Sequence, residues 1–374
     1  MLKRWTLGLF FALALLYNGK EALAAETLET SARAACVMEL GTGRVLYAYN
    51  ERERLPMAST TKIMTALLAL ESGDMDAPVT CSKNAYGVPG TSIYLSLGET
   101  LSMGDMVTGL MLASGNDAAV AIAEHLGGSV EGFAQMMNAR AQEIGATDTH
   151  FVTPHGLPME GHYTSAYDLA LIAREAMQRL DFRELVSTQR ATIPWADHDY
   201  DRVLHNKNKL LSTYEGATGI KTGYTRAAGR CLAFGARREG MELVGVVLNC
   251  GDWFDESARL LDRCFADYTL APLCEANTSL GTVQVSDGVR AEVEAIVRRR
   301  LSAPLLPGET ACLEIDVPSE LPAPVWMGQQ LGEVRVVVDG QVIDTEPLIA
   351  GKGVRRANFL TRLMEIMDLW TLKK

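Results

Sequence analysis

Ser59 and Lys62 stand three residues apart at the head of Ile63-Met64-Thr65-Ala66-Leu67-Leu68-Ala69-Leu70, a run that is apolar on nearly every side. On a helix that spacing puts both side chains on one face, and a helix with no polar face belongs inside a domain. A lysine carried into such a place must be paired or lose its charge. A serine beside a lysine of lowered pKa is a nucleophile with its own base. Two later clusters carry polar groups suited to serve that pair. Ser114-Gly115-Asn116 interrupts a helical pattern, and Lys221-Thr222-Gly223 lies in a segment of strand-like period.

The elements around these clusters define how they must be positioned. Residues 34–49 alternate and turn at Gly41-Thr42-Gly43, which predicts a hairpin, and the buried helix spans 59–72. Residues 73–103 read as loop and short strands. Helices are predicted at 104–112, 116–126, 130–144 and 165–180, the last after a loop rich in His, Pro and Gly. The period then returns to two, with a strand at 218–225 and a hairpin, 230–237 and 241–249, turning at Glu239-Gly240; an amphipathic helix follows at 254–270. Strands, many helices, strands and a helix in that order predict an α+β fold. An antiparallel sheet is covered by helices and carries a helical insertion.

After Pro272 short β-rich runs appear, closing with a hairpin, 334–338 and 341–345, at Asp339-Gly340. The expected organisation is a signal peptide at 1–24, a catalytic domain at 25–275, a small β-rich domain at 276–350 and a terminal amphipathic helix at 351–374. The leader is read from Lys3 and Arg4, the apolar block 5–17 and Ala22-Leu23-Ala24. An uncleaved anchor is the alternative, and both imply export. From Lys352 onward six Lys or Arg face two acidic residues, on a chain of net charge −11. With Phe359, Leu363, Met367 and Trp370 at helical spacing, this end reads as an in-plane membrane anchor. Packing on its own domain is the alternative.

The acidity of the whole argues against nucleic acid, which needs a basic surface. Seven cysteines, odd in number and scattered, predict reduced structural thiols. The six histidines show no ligand spacing, so neither a metal nor a cofactor is expected.

Each cluster alone has a plain reading: a loose match, a helix-breaking turn, an edge strand. Together, with the first heading a buried helix and the third on a strand, they match the S-x-x-K, S-x-N and K-T-G series. The sequence resembles the low-molecular-weight penicillin-binding proteins that act as D-alanyl-D-alanine carboxypeptidases, over about 30–350. The stretches 151–157 and 162–168, and Gly219-Ile220, share in the likeness. It implies a β-lactamase/transpeptidase-like fold, a C-terminal β domain and an amphipathic tail. Its implied substrates are peptidoglycan stem peptides ending in D-Ala-D-Ala, with β-lactams as inhibitors.

Carried onto this chain, the resemblance makes Ser59 the nucleophile, Lys62 its base and Ser114 a proton relay. Asn116 would hold Lys62 and the substrate amide. Lys221 and Thr222 would meet the substrate carboxylate, and Gly223 would let the substrate lie along the strand. The backbone N–H groups of Ser59 and Tyr224 would form the oxyanion hole. Tyr224 replaces a histidine common in relatives. Asp252-Trp253-Phe254 stands where several relatives place an arginine, so carboxylate binding is expected to rest on Lys221 and Thr222. His155 and Asp168 read as loop and helix-cap residues, and Asn116 has the helix N-cap as its plain alternative.

Two rival functions remain. A secreted serine β-lactamase would need a deacylating glutamate, and no E-x-x-x-N run occurs between 150 and 190. A sensor that acylates without turnover differs only in the placing of one water.

Overall fold

The computed structural model describes residues 29–359. The leader expected at 1–24 and most of the tail expected at 351–374 lie outside them. The chain divides into two compact units, which part between Asp267 and Tyr268.

The first unit is built on five antiparallel strands: β1 (Ala32–Glu39), β2 (Val45–Tyr49), β3 (Ala217–Thr225), β4 (Gly229–Arg238) and β5 (Met241–Cys250). Their spatial order is β2-β1-β5-β4-β3, which leaves β3 at an edge. The β4–β5 turn takes left-handed backbone at both Glu239 and Gly240, as a two-residue hairpin demands. Its longer helices, among the described residues, are α1 (Lys62–Glu71), α2 (Met103–Thr108), α3 (Asn116–Gly127), α4 (Val130–Ile144), α5 (Ala166–Met177), α6 (Leu180–Ser187) and α7 (Trp253–Asp267). Helix α5 packs on β1 and β5, and α7 on β4 and β5. Helix α1 runs through the core: Lys62 to Leu67, Ala69 and Leu70 are all buried.

Several features differ from the sequence reading. Helix α2 ends at Thr108 and passes into a π-type turn, Gly109–Ala113, where a Cβ on Gly109 would lie 2.8 Å from Ile93. Residues 181–217, which carry no periodic signal, hold α6, a small hairpin (Arg190–Ile193 with Arg202–His205) and the single helical turn Leu210–Thr213. The domain boundary falls earlier than 275, because Thr269–Cys274 is a strand of the second unit.

That unit contains β6 (Thr269–Cys274), β7 (Ser279–Ser286), β8 (Glu292–Val297), β9 (Leu301–Leu305), β10 (Ala311–Asp316), β11 (Glu320–Pro322), β12 (Gln330–Val338) and β13 (Gln341–Ala350). Six form a sheet in the order β10-β12-β13-β8-β7-β11, and β6 pairs with β9. Their core is mostly valine, among them Val283, Val293, Val297, Val334 and Val336, the residue type best fitted to a pleated surface. Residues 351–358 are not helical, contrary to the expectation of a helix from 351: Val354 bridges to Val325 and Arg356 to Gly288.

Candidate active site

Ser59 sits on a single 3-10 turn, Ala58–Thr61, that leads into α1. Ala58 takes a positive φ of 50°, a costly conformation for a residue with a side chain. Several groups hold it there. The Thr61 hydroxyl donates to the Ala58 carbonyl at 2.8 Å and accepts from His162 Nε2 at 2.9 Å. Because His162 Nδ1 accepts from the Val152 N–H at 3.0 Å, its proton belongs on Nε2. Burial lowers the His162 pKa to about 4, so the ring stays neutral. Gly156 closes over the same carbonyl. A Cβ there would fall 1.8 Å from the Ala58 oxygen, and its φ is +86°. The loop 150–163 is thereby tied to the turn that presents Ser59, and Thr65 adds a bond to the Pro154 carbonyl at 2.6 Å.

Lys62 is fully buried, and its Nζ lies 3.0 Å from Ser59 Oγ, 2.7 Å from Asn116 Oδ1 and 2.8 Å from the His155 carbonyl. Burial, then repulsion by Lys221 and Lys207, holds its pKa well below the usual lysine range. A neutral amine has two N–H donors and one lone pair. The two carbonyl oxygens can only accept, so they take both donors and leave the lone pair for the Ser59 hydroxyl proton. Asn116 therefore does not cap its helix. Its amide spans Lys62 and the Pro89 carbonyl, the latter at 2.6 Å, and Gly115 takes the capping position. The neighbouring Asp117 carboxylate accepts from the backbone of Ile93 and Leu95 and from Ser92 Oγ, fixing the loop that walls the site.

Ser114 has left-handed backbone (φ 63°) after the π-type turn and is buried at the cleft. Across from it, β3 brings Lys221, Thr222, Gly223 and Tyr224 along its open edge. Lys221 is buried, its Nζ donating to the Thr222 carbonyl at 3.2 Å, and burial with repulsion from Lys207 lowers its pKa to about 7. A Cβ on Gly223 would lie 2.9 Å from the Ser59 nitrogen and 3.0 Å from that of Thr60. Only glycine lets the strand pass so close. Tyr224 is 63% exposed at the rim.

Ser59, Ser114, Asn116, Thr222, Gly223 and Tyr224 line one cleft of about 850 Å³. Three cations that the sequence reading left out line it too: Lys207, Lys209 and Arg230. Carboxylate binding therefore need not rest on Lys221 and Thr222 alone. Arg230 faces Tyr224 across the β3–β4 pair and donates to the Gly251 carbonyl at 2.5 Å. Among the described residues no glutamate lines the cleft, while Asp252 and Asp255 do. His155 contributes through its carbonyl, while burial pushes its ring pKa down to about 3. Asp168 is not a cap. Ser165 caps α5, and the Asp168 carboxylate accepts from the Asp148 N–H and Thr149 Oγ1. Among the described residues no group of His, Cys, Asp and Glu is arranged to hold a metal.

A serine beside a buried lysine of lowered pKa, in a cleft walled by an open edge strand, has the layout of an acyl-transferring serine enzyme of the penicillin-binding class. The chain belongs to the D-alanyl-D-alanine carboxypeptidase family, whose profile matches residues 21–251; residues 268–356 match the C-terminal domain of penicillin-binding protein 5. It is 36% identical over 355 residues to D-alanyl-D-alanine carboxypeptidase DacF of Bacillus subtilis, covering 92% of this chain and 91% of that one. It is 35% identical over 238 residues to DacB2 of Mycobacterium tuberculosis, covering 62% and 81%. Among solved structures, penicillin-binding protein 5 of Haemophilus influenzae superposes with a TM-score of 0.72 at 28% identity, covering 89% of this chain and all of the other. The protein is thus a serine hydrolase of peptidoglycan metabolism.

Proposed function

We propose that Ser59 Oγ attacks the carbonyl of the penultimate D-alanine of a stem peptide, with Lys62 Nζ taking its proton. An ester forms on Ser59 as the C–N bond to the terminal D-alanine breaks, and the departing amine receives the proton through Lys62 and Ser114. Water then hydrolyses the ester and releases the shortened peptide. The substrate backbone adds to the free edge of β3. Asn116 supports Lys62 and the substrate amide, and Lys221 with Thr222 receives the terminal carboxylate. The N–H groups of Ser59 and Tyr224 hold the oxyanion, each such donor contributing about 3–4 kcal/mol. β-Lactams acylate the same oxygen.

One observation carries this reading: the two carbonyl acceptors that leave the Lys62 lone pair to Ser59. The test is intact mass measurement after incubation with penicillin, together with D-alanine release from a D-Ala-D-Ala peptide. Ser59→Ala should abolish the covalent adduct and lower turnover by about 10³-fold or more. An adduct that persists in this variant would remove Ser59 as the nucleophile. Adduct formation without D-alanine release would favour the sensor reading. Export by the 1–24 leader and attachment through the basic tail complete the proposal. No helix among the described residues is long and apolar enough to cross a membrane.

A further inference from the structure

In the C-terminal unit the turn 325–328 holds two adjacent large apolar side chains in solvent, Trp326 at 70% exposure and Met327 at 77%. The backbone beneath them is firmly tied. The Trp326 N–H donates to Gln329 Oε1 and the Gln329 N–H to the Trp326 carbonyl, both at 3.0 Å. The Gly328 N–H donates to the Ala350 carbonyl at 2.8 Å, and Val325 and Val354 exchange bonds of 2.9 and 2.8 Å. Ordering two apolar groups outward forgoes the stabilisation that burying them would bring.

The surroundings indicate what covers them. Through Val354 the turn is braced on the segment that leads to the end of the chain, and that segment ends its described course at Phe359, 80% exposed. The Arg298 guanidinium comes within 3.8 Å of where a side chain on Gly328 would begin. Lys352 and Arg355 are exposed on either side of Val354, which pairs with Val325 of the turn. Residues 360–374, which continue from this point, add Arg362, Lys373 and Lys374 to Leu363, Met367 and Trp370.

We infer that the Trp326–Met327 turn is a second membrane contact, separate from the tail, that docks on an anionic bilayer. Trp326 and Met327 enter the boundary between headgroups and acyl chains, where tryptophan concentrates. Arg298, Lys352 and Arg355 meet lipid phosphates. A second copy of this chain fits less well, because a two-fold contact would set the same basic rim against itself.

The inference rests on the reading that the tail meets a membrane. It is tested on the full chain by flotation with vesicles of phosphatidylcholine and phosphatidylglycerol, and with phosphatidylcholine alone. The Trp326→Ala/Met327→Ser variant should bind anionic vesicles about tenfold more weakly or worse, while its penicillin acylation rate stays unchanged. Fluorescence quenching by brominated acyl chains should be greater for the unaltered chain than for Trp326→Ala. Equal binding of the double variant and the unaltered chain overturns the second contact and leaves the tail reading standing. Failure of the unaltered chain to bind anionic vesicles overturns both. If the substitutions instead abolish a self-association seen by sedimentation without lipid, the surface is a protein interface and the inference falls.

Discussion

His162 donates its Nε2 proton to the hydroxyl of Thr61 at 2.9 Å, and that hydroxyl in turn donates to the carbonyl of Ala58, the residue preceding Ser59. Thr61→Val keeps the volume and removes the link. It should lower kcat and the penicillin acylation rate by about tenfold or more, the cost of unpairing buried polar groups, with KM nearly unchanged. Thr61→Ser should retain activity. Stopped-flow acylation measures both, and a rate for the valine variant equal to the unaltered enzyme would show that the link is ornamental to catalysis.

The proposed mechanism needs the two buried lysines in opposite charge states, and this predicts a pH profile. As the proposed base Lys62 must be neutral, so activity should rise as pH climbs through its lowered pKa. As the proposed carboxylate partner Lys221 must be protonated, and that form is lost as pH rises through about 7. The kcat/KM profile for a D-Ala-D-Ala peptide should be bell-shaped, reporting the free enzyme. An arginine stays charged throughout this range. Lys221→Arg should therefore delay the alkaline fall beyond pH 9, and an unmoved alkaline limb would take Lys221 out of carboxylate binding.

Lys207 acts on the same lysine from a distance. Removing its charge in Lys207→Ala relieves a repulsion on Lys221, so the alkaline limb should move to higher pH. As a cleft-lining cation, its loss should also raise KM more than it lowers kcat. Steady-state kinetics across pH separates the two effects, and a limb that moves to lower pH would contradict the repulsion.

Gly223→Ala would press a methyl group to 2.9 Å from the Ser59 nitrogen and 3.0 Å from that of Thr60, both backbone atoms. Strand and nucleophile turn must separate. Acylation is expected to slow by about 10²-fold, the scale of losing one oxyanion donor. Retention of full acylation with penicillin would mean that the Ser59 N–H takes no part.

The three motif clusters were legible because chemistry constrains them tightly in type, order and setting. Helix α1 announced itself by lacking a polar face, and the β4–β5 hairpin by the Glu239-Gly240 turn. Lys207 gave no such signal. It is a lone lysine between short elements, brought to the cleft by tertiary folding of residues 181–217, where no period exceeds a turn or two. Carbonyl contacts are equally silent: the His155 oxygen that binds Lys62 is a main-chain atom that any residue would supply. Arg230 was hidden for another reason, since it enters the cleft from β4 and not from the segment before α7. The end of the chain misled through periodicity. Apolar spacing near 359–367 extended the expected helix backward over 351–358, where pairing of Val354 with Val325 prevails.

All seven cysteines are free, and every one except Cys312 is buried. Desolvation raises the thiol pKa of Cys81 to about 11 and of Cys231 and Cys264 to about 12, which leaves them almost wholly in the unreactive protonated form. A protein assembled this way closes no disulfide among its seven thiols, so its fold calls for no oxidative maturation. Its six buried thiols should pass through swings between aerated and anoxic surroundings unchanged, sealed against their chemical weather by packing.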